Sequence, residues 1–505
     1  MVKKNLLSRM GQNWKSGLTV ALASIPLSIS LAVAANATPL MGIITAVWAG
    51  IIASMFGGSN YNIVGPTGAL SGILASYVLL HGIETLPILA IVSGVIILLV
   101  YVFHLAKYII YVPGSVGHGF TLGVAFLIAF NQFNFATGLS GLEVHESFIM
   151  NLWESLKHIT SIDPATLVVF FLGLIFLFVW GRYVQRFPGP IVLAPVGILL
   201  GYFSQKGLLG FDLQTLYSRF GEISVDLINV PGFSTSVLSK DLFVAAITIA
   251  IIGILESLIS AKIADGMTKT KYNRNKEVLG LGLANVASGL MGGIPATAAL
   301  ARTALNVKSG ATHKTSAGIS SVLIAIISLL FLAQFKFLTL NIVAAILVFV
   351  AIKMVKHEHF VHLFRHDKKA FFISVLVAVI TVVEDPIIGI LVGAIIALLL
   401  FVNELSKGQA EVSVNKNKDM MYYVDNEHFG ELKEHGEVLV YRFAGILTYI
   451  NSLSHIENVE RINGPHTVVL SFRHLFYVDL DGLDALEEIV EILEAKKIKI
   501  MFTGI

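Results

Sequence analysis

Between Lys15 and Glu84 the chain carries no lysine, arginine, aspartate or glutamate. One transmembrane helix takes roughly 20 apolar residues, so this single run holds several membrane-embedded elements and excludes an ordinary water-soluble fold. The rest agrees: 55% of the 505 residues are hydrophobic, 13% are charged, and mean hydropathy is +0.79. The chain reads as a polytopic α-helical membrane protein whose first partner is the lipid bilayer. Its net charge of +2 carries no implication of nucleic acid, because the basic residues sit in short loops between apolar runs. With no cysteine, disulfides and thiolate metal sites are excluded. Lys3, Lys4, Arg9 and Lys15 precede the first apolar run as in a signal peptide. No small-x-small cleavage motif ends a short apolar core there, so a retained first span is expected.

Two stretches inside the apolar regions resemble each other. One runs from Gly57-Gly58-Ser59 to Val64-Gly65-Pro66-Thr67-Gly68; the other runs Gly292-Gly293-Ile294-Pro295-Ala296-Thr297 into Ala298-Ala299-Leu300-Ala301-Arg302-Thr303. Broken backbone at membrane depth is tolerated where it lines a cavity or is buried in protein. Proline suits the start of a helix better than its middle. Each stretch is therefore read as an extended lead-in followed by a helix that begins partway through the membrane. Paired interruptions in two halves of a transporter point to a midplane binding site. Two facing helix N-termini, with free N–H groups and positive dipole ends, suit an anion.

Seven elements precede the polar loop around residues 212–240. They are 17–35 (with Pro26), 40–56, the short 67–80, 86–104, 116–135, 166–180 and 191–203, with an amphipathic interfacial stretch at 145–159. Seven more follow: 242–263, 278–291, the short 297–307, 316–335, 338–354, 370–383 and 386–402. The third of each set is the broken one, and Pro66 and Pro295 lie 229 positions apart. An odd number of spans per repeat inserts the second copy upside down. This predicts a 7+7 inverted repeat of fourteen membrane elements, repeat one at about 16–205 and repeat two at about 240–404. Loop charge provides an independent test. With the N-terminus cytoplasmic, the inner loops carry Lys107, Arg182, Arg186, Lys262, Lys269, Lys271, Arg274, Lys276, Lys308, Lys314, Lys353, Lys356, Arg365, Lys368 and Lys369. The outer loops carry Glu143, Glu146, Asp212, Glu222 and Asp226. That is the positive-inside pattern, and it persists along the whole transport domain, residues 1–405.

After Lys407 the pattern changes to strands at 412–414, 422–424, 438–443, 467–472 and 498–502 alternating with helices at 452–461 and 483–494. Residues 406–505 are thus expected to form a small cytoplasmic α/β domain.

The pattern G-G-S-x(5)-G-P-T-G, the later Arg302-Thr303-Ala304-Leu305-Asn306-Val307-Lys308-Ser309-Gly310 and the C-terminal α/β domain together resemble the SulP family of anion transporters, solute carrier family 26. The resemblance covers essentially the whole chain. It implies a uracil-permease-like fold with core and gate domains, a C-terminal STAS domain, and a homodimer. It implies transport of bicarbonate, sulfate, a dicarboxylate or a similar anion, often coupled to sodium or protons. The chain stops after the last predicted strand, short of the helix that a STAS domain implies there, so the domain reads as shortened by nature or by trimming. In Tyr477-Val478-Asp479-Leu480-Asp481-Gly482, Asp481 stands where regulatory STAS proteins can carry a phosphorylatable hydroxyl.

By the same resemblance, Thr67 and Gly68 open the first half-helix at the anion site. Ala298, Ala299 and Leu300 start the second and offer backbone N–H groups. Arg302 matches the basic residue near the site, and Leu27 and Leu31, after Pro26, match pocket-lining positions of the first span. Glu256, mid-span in an otherwise uncharged stretch, matches the acid linked to the coupling cation. Ser260, four residues on, shares its helix face. An ionisable group at membrane depth is a functional candidate by default. The competing readings are Thr67 as a mere helix cap and Arg302 as a structural partner of Glu256 or an interfacial cation.

These residues predict secondary active anion transport by alternating access across the inner or plasma membrane, both termini cytoplasmic. H+ or Na+ would be the coupling ion, with Na+ at Glu256 and Ser260 and no other cofactor. The chain is not expected to be an enzyme. The alternatives are an anion channel or exchanger without cation coupling, a nucleobase:H+ symporter of the same fold, and a membrane-tethered sensor.

Overall fold

A computed structural model describes residues 6–504 except 106, 108–112, 144, 146–147, 185–187, 223–225, 231, 233–238, 356, 385, 407–409, 418–419, 425–437 and 463–465. Of the residues singled out above, Lys3, Lys4, Glu146, Arg186, Lys356 and Lys407 lie outside that set. Two compact units emerge, Met1–Ala394 and Ile395–Ile505. The boundary lies inside the last long helix rather than after it.

The first unit is helical. Its elements are α1 (Leu6–Ala34), α2 (Pro39–Phe56), β1 (Val64–Gly65), α3 (Gly68–His81), α4 (Leu86–Val102), α5 (Gly114–Asn131), α6 (Phe133–Thr137), α7 (Phe148–Lys157), α8 (Pro164–Tyr183), α9 (Pro190–Gln205) and α10 (Leu216–Phe220). After these come α11 (Lys240–Thr268), α12 (Arg274–Leu290), β2 (Thr297–Ala298), α13 (Leu300–Lys308), α14 (Thr315–Phe331), α15 (Leu340–Met354), α16 (His357–His366), α17 (Lys368–Val383) and α18 (Pro386–Ser406). Among the described residues, nine helical segments are long and apolar enough to cross a bilayer. The five other expected elements are α3, α9, α12, α13 and α17, all shorter or more polar.

Local sequence explains the helix starts. At α2 and α8 a proline occupies the first turn, where its missing N–H costs nothing. Thr38 accepts from Met41 N, and Asp163 from Ala165 N and Thr166 N. Pro26 falls inside α1, which continues through it and begins eleven residues before the predicted span. α7 exposes Ile149, Met150, Trp153 and Leu156, as an interfacial helix would. In lipid there is no hydrophobic drive between helices, so small residues set how closely they approach. A Cβ on Gly94 of α4 would sit 2.7 Å from Val286 N and 2.8 Å from Gly282 O of α12, so only glycine permits this contact. α12 packs on α4 and α2, and α14 on α1 and α2; α5, α15, α17 and α8 form a second group.

Among the described residues of the second unit a five-stranded sheet has the order β4-β3-β5-β6-β7, with β3 Ala410–Asn417, β4 Met420–Val424, β5 Val438–Leu447, β6 Thr467–Val478 and β7 Lys499–Thr503. β3 is antiparallel to β4 and β5; β5, β6 and β7 are parallel. Parallel neighbours need crossovers, supplied here by α19 (Ser452–Glu460) and α20 (Leu480–Ala495). The core joins Val412, Tyr441, Phe443, Leu470, Ile489 and Leu493. α20 begins three residues before the predicted position because Asp479, whose carboxylate accepts from Gly482 N at 2.9 Å, caps it. Asp481 lies in the first turn, where the helix dipole favours a negative charge.

Candidate functional site

The two interrupted stretches meet. β1 and β2 pair antiparallel, Val64 opposite Ala298 and Gly65 opposite Thr297. α3 and α13 therefore start beside one crossing point. Thr67 precedes α3 in extended conformation (φ −132°, ψ 156°), and Ala299 precedes α13 in the same region (φ −79°, ψ 117°). Neither N-terminus has a side-chain cap, so the positive ends of both short helices are left to whatever occupies the space before them.

Thr67 does not cap its own helix. Its hydroxyl donates to Glu256 Oε2 of α11 at 3.1 Å, joining the first half-helix to the mid-span acid. Ser260 is fully buried, and its Oγ has no hydrogen-bond partner. Ser257, one residue after Glu256, bonds Thr297 Oγ1 at 2.9 Å and accepts from Ala298 N at 3.1 Å. Thr297 Oγ1 also donates to Gly253 O at 2.9 Å. α11 thus holds both halves of the crossing.

Two expectations need correction. The second half-helix begins at Leu300 rather than Thr297, because Thr297 and Ala298 are consumed in pairing with β1. The N–H groups of Ala298 and Ala299 are not free for a ligand: the first donates to Ser257 Oγ and the second to Ile63 O at 3.0 Å. The first helical N–H groups of α13 begin with Leu300. Arg302 is 2% exposed, and its guanidinium donates to the Pro66 carbonyl and to Ser28 Oγ at 3.4 Å. Its hydrogen bonds thus go neither to Glu256 nor to the bilayer surface. A Cβ on Gly65 would lie 2.9 Å from Arg302 Nη1, so glycine makes room for this reach.

Accessibility separates the candidates. Glu256, Ala299, Leu300 and Leu27 are partly exposed; Thr67, Gly68, Leu31, Ala298, Ser260 and Arg302 are buried. Leu27 and Leu31 lie on α1, which packs against both α3 and α13. A cavity of about 770 Å³ lies nearby, lined by Val33, Gly72, Leu127, Gln132, Arg219 and Glu384 among others, and stops short of Thr67. At Gly68 a Cβ would meet Ile128 Cδ1 of α5 at 2.4 Å, so α5 is packed tightly against the start of α3.

Sequence reasoning passed over Glu277 and Asn285 of α12. Glu277, 4% exposed, accepts from Gly58 N (2.8 Å), Ser59 N (2.7 Å) and Asn62 Nδ2 (2.6 Å). Asn285, fully buried, accepts from Ala296 N at 2.8 Å and donates to Ala296 O at 2.9 Å. Glu277 sits beside Lys276 at the head of its span and reads as an ordinary helix-start acid. The available signal is polar residues eight positions apart in a glycine-rich span. Four histidines, His357, His359, His362 and His366, lie on α16, where the ring of His359 is tilted by 43° against that of His118 of α5 at 3.8 Å between centroids. Among the described residues no cluster of three metal-ligating side chains occurs.

The sulfate permease family is matched over residues 12–377 and the STAS domain over 431–505. A putative sulfate transporter of Bacillus subtilis, YvdB, is 31% identical over 99% of this chain and 92% of its own length. The chain belongs to the sulfate permease family. This sulfate permease family member is a multi-pass membrane transporter, not an enzyme, as expected. Its fold is that of murine solute carrier 26 family member A9, an anion transporter solved in the inward-facing state: TM-score 0.84 at 17% identity, over 100% of this chain and 86% of that one. The transmembrane domain of a cyanobacterial bicarbonate transporter, BicA, aligns with TM-score 0.66 at 22% identity, over 78% of this chain and 99% of that one.

Proposed function

We propose that this protein carries a small anion, with bicarbonate, sulfate and dicarboxylates as the candidates, by alternating access coupled to H+ or Na+. The observation that carries the reading is the pair of uncapped half-helices, α3 and α13, starting at the β1–β2 crossing with Glu256 bonded to Thr67. Helix N-termini attract an anion without a mobile counter-charge. Family relatives named for sulfate and bicarbonate support that class of cargo. Thr67, Gly68, Leu300, Leu27 and Leu31 border the anion. Ala298, Ala299 and Arg302 act from behind by fixing the two lead-in segments. Moving a charge against the membrane potential costs about 2.3 kcal/mol per 100 mV, and a bare carboxylate nearby adds repulsion, so Glu256 is neutralised when the anion is loaded. A proton does this directly. The buried, unpartnered Ser260 Oγ on the face of Glu256 also fits an oxygen-ligated sodium ion.

The antiparallel crossing of two similarly placed segments supports an inverted 7+7 repeat, and the loop charges support cytoplasmic termini and an inner or plasma membrane setting. A homodimer, and a STAS domain acting in assembly or regulation, complete the proposal. Uptake of labelled bicarbonate, sulfate and fumarate into proteoliposomes, each under imposed proton or sodium gradients, is the test. Accumulation driven by one gradient supports the reading. Downhill flux indifferent to both gradients replaces it with an uncoupled exchanger or channel, and no flux of any anion refutes it.

A further inference from the structure

We infer that α12 is the positioning frame of the site, and that Glu277 and Asn285 fix the anion-binding geometry without touching the anion. The inference rests on the transport reading given above, since it assigns these residues to the same site.

The two half-helices can act together only if their N-termini stay in register, yet each is reached by an extended segment with few backbone partners. Buried N–H and C=O groups at membrane depth must find partners inside the protein. For the first segment Glu277 supplies them: one carboxylate oxygen takes Gly58 N and Ser59 N, and the other takes Asn62 Nδ2. Asn62 passes the connection on, donating also to Ser257 O at 3.0 Å, the residue beside Glu256. For the second segment Asn285 acts as a side-chain imitation of a strand, engaging both the N–H and the C=O of Ala296 while also donating to Leu281 O at 3.0 Å. Eight residues at 1.5 Å rise separate the two holds by about 12 Å along one rigid helix.

Glycine lets the backbone come close enough for these bonds. A Cβ on Gly58 would stand 2.0 Å from Asn273 O, and one on Gly280 would stand 2.5 Å from Gly57 N. The Gly-Gly pair of the first stretch is therefore a contact with α12. Carboxylate-to-amide bonds are stronger than neutral ones, and leaving a buried donor unpaired is costly. The frame is stiff, and a change of one side chain in it moves a half-helix.

The test uses Glu277→Gln and Asn285→Asp, both nearly isosteric, in the full-length protein. Glu277→Gln weakens the hold on Gly58 and Ser59 and turns a donor toward Asn62. Asn62 donates through one Nδ2 to both Glu277 Oε1 and Ser257 O, so opposing it with a second donor loosens both bonds. In proteoliposomes, KM for labelled sulfate or bicarbonate should rise at least tenfold in each variant. A purely structural role would lower the melting temperature and the yield but leave KM of the folded fraction unchanged, which would overturn the inference while wild-type uptake keeps the transport reading intact.

A second readout does not depend on transport. The chain has no cysteine, so spin labels placed through Ser76→Cys on α3 and Lys308→Cys on α13 report the distance between the half-helices by pulsed electron resonance. The distribution should broaden or shift in Glu277→Gln. An unchanged distribution overturns the inference even if wild-type protein carries none of the tested anions. Should Glu277→Gln fail to fold, Asn285→Asp gives the same two readouts.

Discussion

His455 should make the STAS unit acid-sensitive. The ring is fully buried beside Phe443 and takes the Tyr441 hydroxyl at Nδ1, 2.8 Å away. Burial pushes its pKa down from 6.5 to about 4. The same burial pushes the Tyr441 phenol up, so the pair stays neutral across the physiological range. A histidine depressed in the folded state contributes stability above its unfolded pKa and loses it as pH falls through the interval to the folded value. The window is therefore pH 6.5 to 4. At 1.36 kcal/mol per unit, the shift corresponds to about 3 kcal/mol lost across that window, a large share of a small domain's stability. Hydrogen exchange of full-length protein in nanodiscs, followed in β5 and α19 at pH 7.5, 6, 5 and 4.2, reads the effect locally. After correction for the intrinsic pH dependence of exchange, protection should fall with a slope approaching one proton per opening event below pH 6.5. In His455→Phe that slope should vanish. Protection that holds from pH 6.5 to 4.2 in the wild type, or falls equally in His455→Phe, would refute the assignment.

Three further outcomes are expected. Glu256→Gln keeps the shape and mimics the neutralised acid, so it should still bind anion and support counterflow while losing accumulation against a gradient; gradient-driven uptake equal to wild type would leave Glu256 a structural acid. Ala299→Leu places four carbons at the partly exposed start of α13 and should cut uptake at least tenfold with the protein still folded in the membrane, as judged by size-exclusion profile and melting temperature. Arg302→Lys keeps the charge but offers a point donor where a planar fork now reaches two acceptors. It should therefore raise KM severalfold, and unchanged kinetics would show that only the charge matters.

The parts of the fold set by long-range composition were legible in the chain. The charge-free run before Glu84 and the loop lysines and arginines marked out the membrane elements, and strand alternation after Lys407 marked the α/β unit. Thr67 and Glu256 could each be picked out singly, one by its place in G-P-T-G and the other by its depth in a span. Their hydrogen bond could not, because 189 positions separate them and only the packing of α11 against α3 brings them together. The start of α13 was misplaced for a similar reason. Thr297 and Ala298 have no local feature that forbids helix, and it is the partner strand at Val64 and Gly65 that draws them into extended conformation. Glu277 was missed because a glutamate in the first turn of a helix already has a sufficient local explanation in the dipole.

What the packing adds is a different distribution of labour among the polar groups. The family resemblance implies that Arg302 is the basic residue near the anion and that Ala298 and Ala299 offer donors. In the fold all three are spent internally: the guanidinium on the Pro66 carbonyl and Ser28, the two amides on Ser257 and Ile63. The groups left facing the space before the half-helices are the uncapped first turns of α3 and α13, with Glu256 partly exposed beside them. A binding site built on fixed backbone dipoles attracts an anion by partial charges that need no reorganisation and no counter-ion. On the transport reading proposed above, such a site would also release the anion easily, because the Arg302 guanidinium is held by the Pro66 carbonyl and Ser28. A carrier must bind and release on every cycle, so a site of this kind suits transport better than an arginine clamp would.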